Sequence, residues 1–192
     1  MASSEPAVVG ATGPQVRTAV PDDVAELVRM DALARAHMGP HRGGELYLLR
    51  DGRPIPPDAS FRDDVADPQR LVLLGTIADQ AVGYAIVSAE ALRDGYLLAD
   101  VREIFVEADA RDVGVGEALM GAITEWAEAR GCDGIDARAL PGDRSTKNFF
   151  ETFGLVARAI TVHRDLRPER LARSTAAADS SPTDPARPGS DA

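Results

Sequence analysis

The segment from Leu97 to Arg130 constrains this chain more than any other. A run of strand-forming residues, Leu97 to Val106, is followed by a polar stretch from Glu107 to Val113. Gly114-Val115-Gly116 then opens a helix whose apolar residues Val115, Leu119, Ala122, Ile123 and Trp126 recur at helical spacing until Gly131 stops it. A helix entered through glycines leaves its first amides without internal partners, and glycine lets another molecule approach that backbone closely. Together with the partial positive charge of the helix dipole, this makes an anion cradle that can take a pyrophosphate even in an acidic protein. A glycine-rich helix entry that holds no ligand fits the same residues equally well.

Around that unit the elements alternate. Val16 to Ala19 is a short strand candidate, and Pro21, Asp22 and Asp23 start a helix with an apolar face of Val24, Leu27, Val28, Met30 and Ala34 that ends near His37. Gly39 to Gln69, rich in Pro, Gly and Asp, is a long and partly irregular connection with a short helix candidate at Glu45 to Arg50. Such loops in compact domains are often functional. Leu71 to Ile77 and Ala81 to Ala89, separated by Ala78, Asp79 and Gln80, read as a hairpin, and Leu97 to Val106 extends it into an antiparallel meander. Beyond the long helix, Gly134 to Leu140 is a strand, Ser145 to Phe153 a short helix ended by Gly154, and Leu155 to Leu166 a last strand or bent pair of strands. Hairpins first, then strands joined through helices, predict an α/β or α+β domain with a mixed, mostly antiparallel central sheet flanked by helices. Residues 1–14 and 167–192 have little apolar surface to offset the entropy of ordering, so both ends are expected to be disordered around one domain at 15–166.

The 192 residues carry a formal charge of -10. That balance opposes the phosphate backbone, so no nucleic acid partner is expected. No apolar stretch approaches the ~20 residues that cross a bilayer, and the N-terminus lacks the basic and apolar regions of a signal peptide; no membrane association and a cytoplasmic location follow as expectations. The one cysteine, Cys132, allows no internal disulfide and no multi-cysteine metal site, and reads as a small buried residue after Gly131. His37 and His41 flank Gly39 without a third ligand nearby in sequence, so no metal is expected; they are candidates for lining a pocket. His163 falls in the last strand.

Two nucleotide-binding motifs are excluded. A Rossmann fingerprint needs its three glycines directly after the strand, whereas Leu119 fills the third place and a polar stretch intervenes. A P-loop fails because no Gly-Lys-Ser/Thr follows.

The residues Arg111-Asp112-Val113-Gly114-Val115-Gly116, after a strand reading Glu103-Ile104-Phe105-Val106, resemble the Arg/Gln-x-x-Gly-x-Gly/Ala phosphate motif of the GNAT superfamily of N-acyltransferases. The resemblance covers about residues 15–166, including element order. It extends to Asn148-Phe149-Phe150-Glu151-Thr152-Phe153-Gly154-Leu155, which looks like the late helix of that family. It implies a GNAT-like acyl-CoA N-acyltransferase fold in which the strand 101–106 splays from the strand 134–140. The pantetheine of acetyl-CoA, the co-substrate, would then pair with the backbone of Phe105 and Val106. The amides of Arg111, Asp112, Val113, Gly114, Val115, Gly116 and Glu117 would hold the pyrophosphate.

The same resemblance implies direct attack of an amine on the thioester in a ternary complex, with Glu103 as general base directly or through water; Asp100 and Glu107 are weaker candidates. Burial beside the thioester would raise the pKa of Glu103 toward neutrality. The chain departs from the family at Phe150, where many members have the tyrosine that protonates the leaving thiolate, so Tyr47, Tyr96 or water takes that place, or the thiolate leaves unaided. It departs again at Asp143, where an Asn often contacts the pantetheine. Lys147 is either a ligand of a CoA phosphate or a solvated helix lysine. The partner is a small-molecule or protein amine, which the acidic charge would favour as a cationic one such as a polyamine, an amino sugar, a lysine side chain or a protein N-terminus. A homodimer is compatible with all of this. A non-catalytic acyl-CoA-binding sensor is the alternative that Phe150 keeps open.

Overall fold

Five strands lie side by side in chain order, β1 (Gln15–Thr18), β2 (Arg70–Ile77), β3 (Gln80–Ala91), β4 (Leu97–Val106) and β5 (Gly134–Ala137), in the computed structural model of the chain, which describes residues 13–166. β1 to β4 pair antiparallel, and β5 joins β4 in parallel through α4 (Val115–Ala129). The remaining helices are α1 (Val24–Met38), α2 (Gly44–Arg50), α3 (Asp58–Ala66) and α5 (Arg144–Thr152). The result is a mixed, mostly antiparallel α+β sheet.

The sheet is buried on both faces, which explains why β2 and β3 read as nearly continuous apolar runs rather than as alternating ones. One face carries Leu73, Ala85, Val87, Ala99 and Val101 against Leu119, Met120 and Ile123 of α4. The other carries Val72, Leu74, Tyr84 and Ile86 against Leu27 and Met30 of α1 and Phe61 of α3. Successive residues of β3 alternate between the two cores, as the period of two requires. α1 is entered through a 3-10 turn, Pro21–Asp23, where the Asp23 carboxylate accepts the Val20 amide at 2.7 Å and both terminal nitrogens of Arg17.

The ladder between β3 and β4 shifts register: Glu103 sits opposite Ile86 but Val101 opposite Val87, leaving Arg102 as the extra residue of a bulge. The shift reverses the alternation along β4. Ala99 and Val101 pack on the α4 side, and after the bulge so do Ile104 and Val106. Glu103 and Phe105 are thereby turned to the Tyr84 side.

Three expectations are corrected. The Gly39–Gln69 connection contains a second helix, α3, anchored by fully buried Phe61; Phe61 and Val65 one turn apart are the signal for it, set among polar neighbours. β5 stops at Ala137 instead of Leu140. Leu155 to Leu166 form no strand: none of these residues enters a ladder, and β-propensity without a paired neighbour does not make one. The chain divides after Val156 into two units, and of the second only 157–166 are described, with no helix or strand among them. The expectations of disorder at residues 1–12 and 167–192 lie outside the described residues. Among those described, no helix is long and apolar enough to cross a membrane.

Candidate functional site

The parallel pairing of β5 with β4 ends at Val101 and Ala137, so from Arg102 to Val106 the β4 edge on that side has no strand beside it. A narrow cavity of about 100 Å³ occupies this opening, running from Tyr47 and Glu103 past Phe105 to Asp143 and Phe150. A wider one of about 360 Å³ shares Tyr47, Arg53, Glu103 and Arg138 with it. Tyr47 and Arg50 stand on α2 and Arg53 just beyond it, so the long connection, read from sequence as functional, builds one wall of both spaces.

At the far end of β4 the chain turns into α4. Asp112 and Gly114 take left-handed backbone conformations with φ of 62° and 93°, which glycine adopts without strain. The first intrahelical bond runs from the Ala118 amide to the Gly114 carbonyl at 3.0 Å. The amides of Val115, Gly116 and Glu117 precede it and have no partner within the helix. Here the backbone carries the capacity to bind, because the Val115 side chain is buried, those of Asp112, Val113 and Glu117 are exposed, and Glu117 itself is an anion. Arg111 Nε donates to the Val106 carbonyl at 3.1 Å, tying the end of β4 to the turn and using one of the backbone groups expected to meet pantetheine. A Cβ on Gly116 would stand 3.1 Å from Phe149 Cε2, so this glycine also serves the contact between α4 and α5. A Cβ on Gly114 would stand 3.3 Å from Pro14 Cγ, away from the contact between α4 and α5. Gly114→Ala is expected to cost about 1–3 kcal/mol of stability from the left-handed conformation and to weaken CoA, as calorimetry on the folded protein would show; unaltered CoA affinity would remove this turn from the site.

Glu103 is held in an ionic setting. Its Oε1 pairs with Arg53 Nε at 2.8 Å, and its Oε2 accepts the hydroxyl of fully buried Tyr84 at 2.9 Å. Arg53, itself buried, reaches Asp64 at 2.5 Å and lies over the Phe61 ring at 4.0 Å; Arg70 holds the other oxygen of Asp64. Glu103 is therefore an ion-paired carboxylate and not simply one buried where the thioester would lie. The Tyr84 hydroxyl is hydrogen-bonded to Glu103 and the Arg53 Nε contact is an ion pair without hydrogen-bond geometry, so of the about four acceptor positions of a carboxylate some remain to accept from a water or an amine.

The structure separates the other candidates. Asp100 lies in the wider cavity but pairs with Arg138 at 3.0 Å, and Glu107 points away to Arg29 of α1 at 2.7 Å. Tyr47 is in the cleft, where burial pushes its phenol pKa up, the Arg138 charge opposes that and Glu103 adds to it. Tyr96 is not: its hydroxyl stands 2.6 Å from where a Cβ of Gly134 would be, at the start of β5. Phe150 is a buried wall of the cleft. Lys147 is bound to Glu151 one turn along α5. Cys132 is half-buried, its thiol pKa raised by that burial.

Asp143 is the N-cap of α5. Its Oδ1 accepts the Thr146 amide at 3.0 Å and the Ser145 hydroxyl at 2.8 Å, and its Oδ2 the Thr146 hydroxyl at 2.7 Å. His37 and His41 come to it from α1 and the turn that follows, with one ligating atom of each within 4.8 Å of the others. That is the third ligand missing from the sequence pattern. The cluster still lies beside Arg111, whose charge adds to burial in lowering the His37 pKa, and at the positive end of α5.

Two carboxylates tie this architecture to pH. The paired Arg17 lowers the Asp23 pKa; burial raises that of Asp143, but the Thr146 and Ser145 hydrogen bonds outweigh it and the net shift is downward. Depressed carboxylates contribute stability that is complete above the unfolded value, about 3.9, and is lost as pH falls through the lower folded one. Urea midpoints are therefore expected to drop below about pH 4, and Asp23→Asn with Asp143→Asn should flatten that drop; an unchanged slope would refute the assignment.

Residues 32–155 match the family model described as Acetyltransferase (GNAT) family. The chain belongs to the GNAT acetyltransferase family. No curated protein sequence matches it. Among solved structures, it is similar to a tetramutant of the BH1408 protein of Bacillus halodurans (TM-score 0.64, 18% identity, 79% of this chain and 99% of that one). It is also similar to an aminoglycoside acetyltransferase from an uncultured soil metagenomic sample in complex with trehalose (0.62, 14%, 82% and 97%). A third is a ribosomal-protein-alanine N-acetyltransferase from Brucella melitensis biovar Abortus 2308 (0.60, 18%, 80% and 99%). At these identities the likeness is one of fold.

Proposed function

We propose that this GNAT protein transfers an acetyl group from acetyl-CoA to a primary amine by direct attack, without a covalent enzyme intermediate. The observation that carries the reading is the opening between β4 and β5: a free strand edge at Arg102 to Val106, a narrow cavity along it that holds the Glu103 carboxylate, and, where β4 ends, the turn into α4 with its amides free of intrahelical bonds. Acetyl-CoA supplies an activated thioester. The turn Arg111 to Glu117 would hold its pyrophosphate, the β4 edge at Phe105 would align its pantetheine arm, and Phe150 would pack beside it. The Asp143 oxygens serve their own helix.

Glu103, directly or through one water, takes the proton that the attacking ammonium must lose. The neutral nitrogen then bonds to the carbonyl carbon, the carbon–sulfur bond breaks, and the electron pair leaves on sulfur. Tyr47 is the proton source of this chain for that sulfur, in place of the tyrosine that Phe150 replaces. Its raised pKa keeps the phenol protonated at neutral pH, so the hydroxyl is present to donate to the departing sulfur, which with a thiol pKa of about 8.5 is already a tolerable leaving group.

Free-thiol release from acetyl-CoA across a panel of amines, together with calorimetric binding of acetyl-CoA, tests the reading. Release that needs both an amine and Glu103 supports it, whereas binding without release across the panel would establish the acyl-CoA sensor instead. Tyr47→Phe is expected to lower turnover by about 10-fold to 10²-fold with acetyl-CoA affinity unchanged; full turnover would assign the proton to solvent.

A further inference from the structure

The transfer as described leaves most of the arginines beside Glu103 without a task. The cavity of about 360 Å³ is lined by Arg50, Arg53, Arg70, Arg102 and Arg138 against Asp51, Asp64, Asp100 and Glu103, five cations to four anions, in a chain whose formal charge is -10. The pairing is uneven. Asp64 is shared by Arg53 and Arg70, and Asp100 by Arg102 and Arg138. Arg70 also reaches Asp67 outside the lining, at 3.2 Å. Arg102 Nε stands 3.8 Å from Asp100, beyond hydrogen-bonding distance, and the Arg102 and Arg138 side chains are 50% and 53% exposed. A guanidinium offers five donors in a planar fork suited to a carboxylate or phosphate, and one carboxylate between two such groups leaves most of them unused. The cations also sense one another: after burial, the charges of Arg102 and Arg53 lower the Arg70 pKa.

We propose that the acceptor amine carries an oxyanion, a carboxylate or a phosphate, which docks on Arg138 and Arg102 in this cavity while the amine is presented to Glu103. The proposal rests on the acetyl-transfer reading above and narrows its acceptor. It reverses the expectation drawn from net charge: a polyamine or amino sugar would bring further positive charge to a guanidinium wall, whatever the sign of the distant surface. The volume is at the small end of ligand pockets and suits a small metabolite.

Four probes of one chain length isolate the distal group: 4-aminobutyrate, 4-aminobutyl phosphate, butylamine and 1,4-diaminobutane. We expect kcat/KM for the better of the two anionic probes to exceed that of butylamine by about tenfold or more, and that of the diamine by a larger factor, as charge-assisted hydrogen bonds to Arg provide. The carboxylate and phosphate arms identify which oxyanion is used. Arg138→Gln or Arg102→Gln, the latter on an exposed side chain that the fold does not need, should reduce the anionic-to-neutral ratio severalfold. A diamine turned over as well as the anionic probes, or a ratio unmoved in both folded variants, would overturn the proposal. If no probe releases thiol, acetyl transfer to these amines fails, and binding of the acetylated products decides the proposal by itself. Tighter calorimetric binding of N-acetyl-4-aminobutyrate than of N-acetyl-1,4-diaminobutane would uphold anion docking, and equal or absent binding of the two would reject it.

Discussion

Replacing Glu103 by glutamine is expected to lower turnover by about 10²-fold to 10⁴-fold, the usual worth of a positioned general base, with acetyl-CoA affinity close to that of the parent. The structure adds a second consequence. Glu103 accepts the Tyr84 hydroxyl on one oxygen and faces the Arg53 guanidinium with the other in an ion pair at 2.8 Å, and an amide carries one oxygen and no charge, so buried Arg53 loses its counter-charge there. A loss of about 1–3 kcal/mol for that unmatched group would accompany the kinetic effect. Tyr84→Phe separates the two causes, because it deletes the hydrogen bond to Oε2 and keeps the carboxylate. Its turnover should fall by less than about tenfold. If Tyr84→Phe is as damaging as Glu103→Gln, Glu103 is a structural anchor and the proton goes elsewhere in the cleft. The assay belongs below the pKa of the amine, where deprotonation is required.

Asp64→Asn is expected to have the largest effect on stability. Asp64 is 2% exposed and is the partner of both Arg53, itself 7% exposed, and Arg70. Neutralising one member of a buried ion cluster leaves charge uncompensated and costs about 3–5 kcal/mol. For a domain of this size each kcal/mol is worth about 2–4 °C, so the melting temperature should fall by roughly 6–20 °C. The substitution also loosens Arg53, the group that holds Glu103 in place, and turnover should decline in the variant even at temperatures where it is folded. Pairing Asp64→Asn with Arg53→Met, which removes the stranded cation and keeps an apolar stem against Phe61, should recover much of the stability. A melting temperature unchanged by Asp64→Asn would show that solvent already screens the cluster.

Much of the frame was legible in the chain itself. β2, β3 and β4 lie within a few residues of their apolar runs, and α4 lies where Val115, Leu119, Ile123 and Gly131 place it. The strand-to-helix turn with its left-handed Gly114 followed from two glycines after a polar stretch. The elements that went unread are those whose signal is not local. α3 depends on Phe61 finding Tyr84 and Leu27, distant in sequence, on one face of the sheet. The residues 155–166 have strand composition, and no ladder forms there. The bulge at Arg102 carries no residue signature, yet it alone turns Glu103 to the side of Tyr84.

The site divides in the same way. Sequence determined the residue types available, a carboxylate in β4 and a glycine turn ahead of a helix, because hydrogen-bonding capacity and periodicity are set within a few residues. Tertiary structure decided which of them meet: Tyr47 rather than Tyr96 in the cleft, Asp143 as a cap beside His37 and His41, and Arg53, Arg70, Arg102 and Arg138 gathered around two shared carboxylates. A formal charge of -10 is a sum over the whole chain, whereas the field in a cavity is weighted by distance and burial. Four arginines brought from four separate stretches of sequence can therefore make a cationic wall inside an acidic protein.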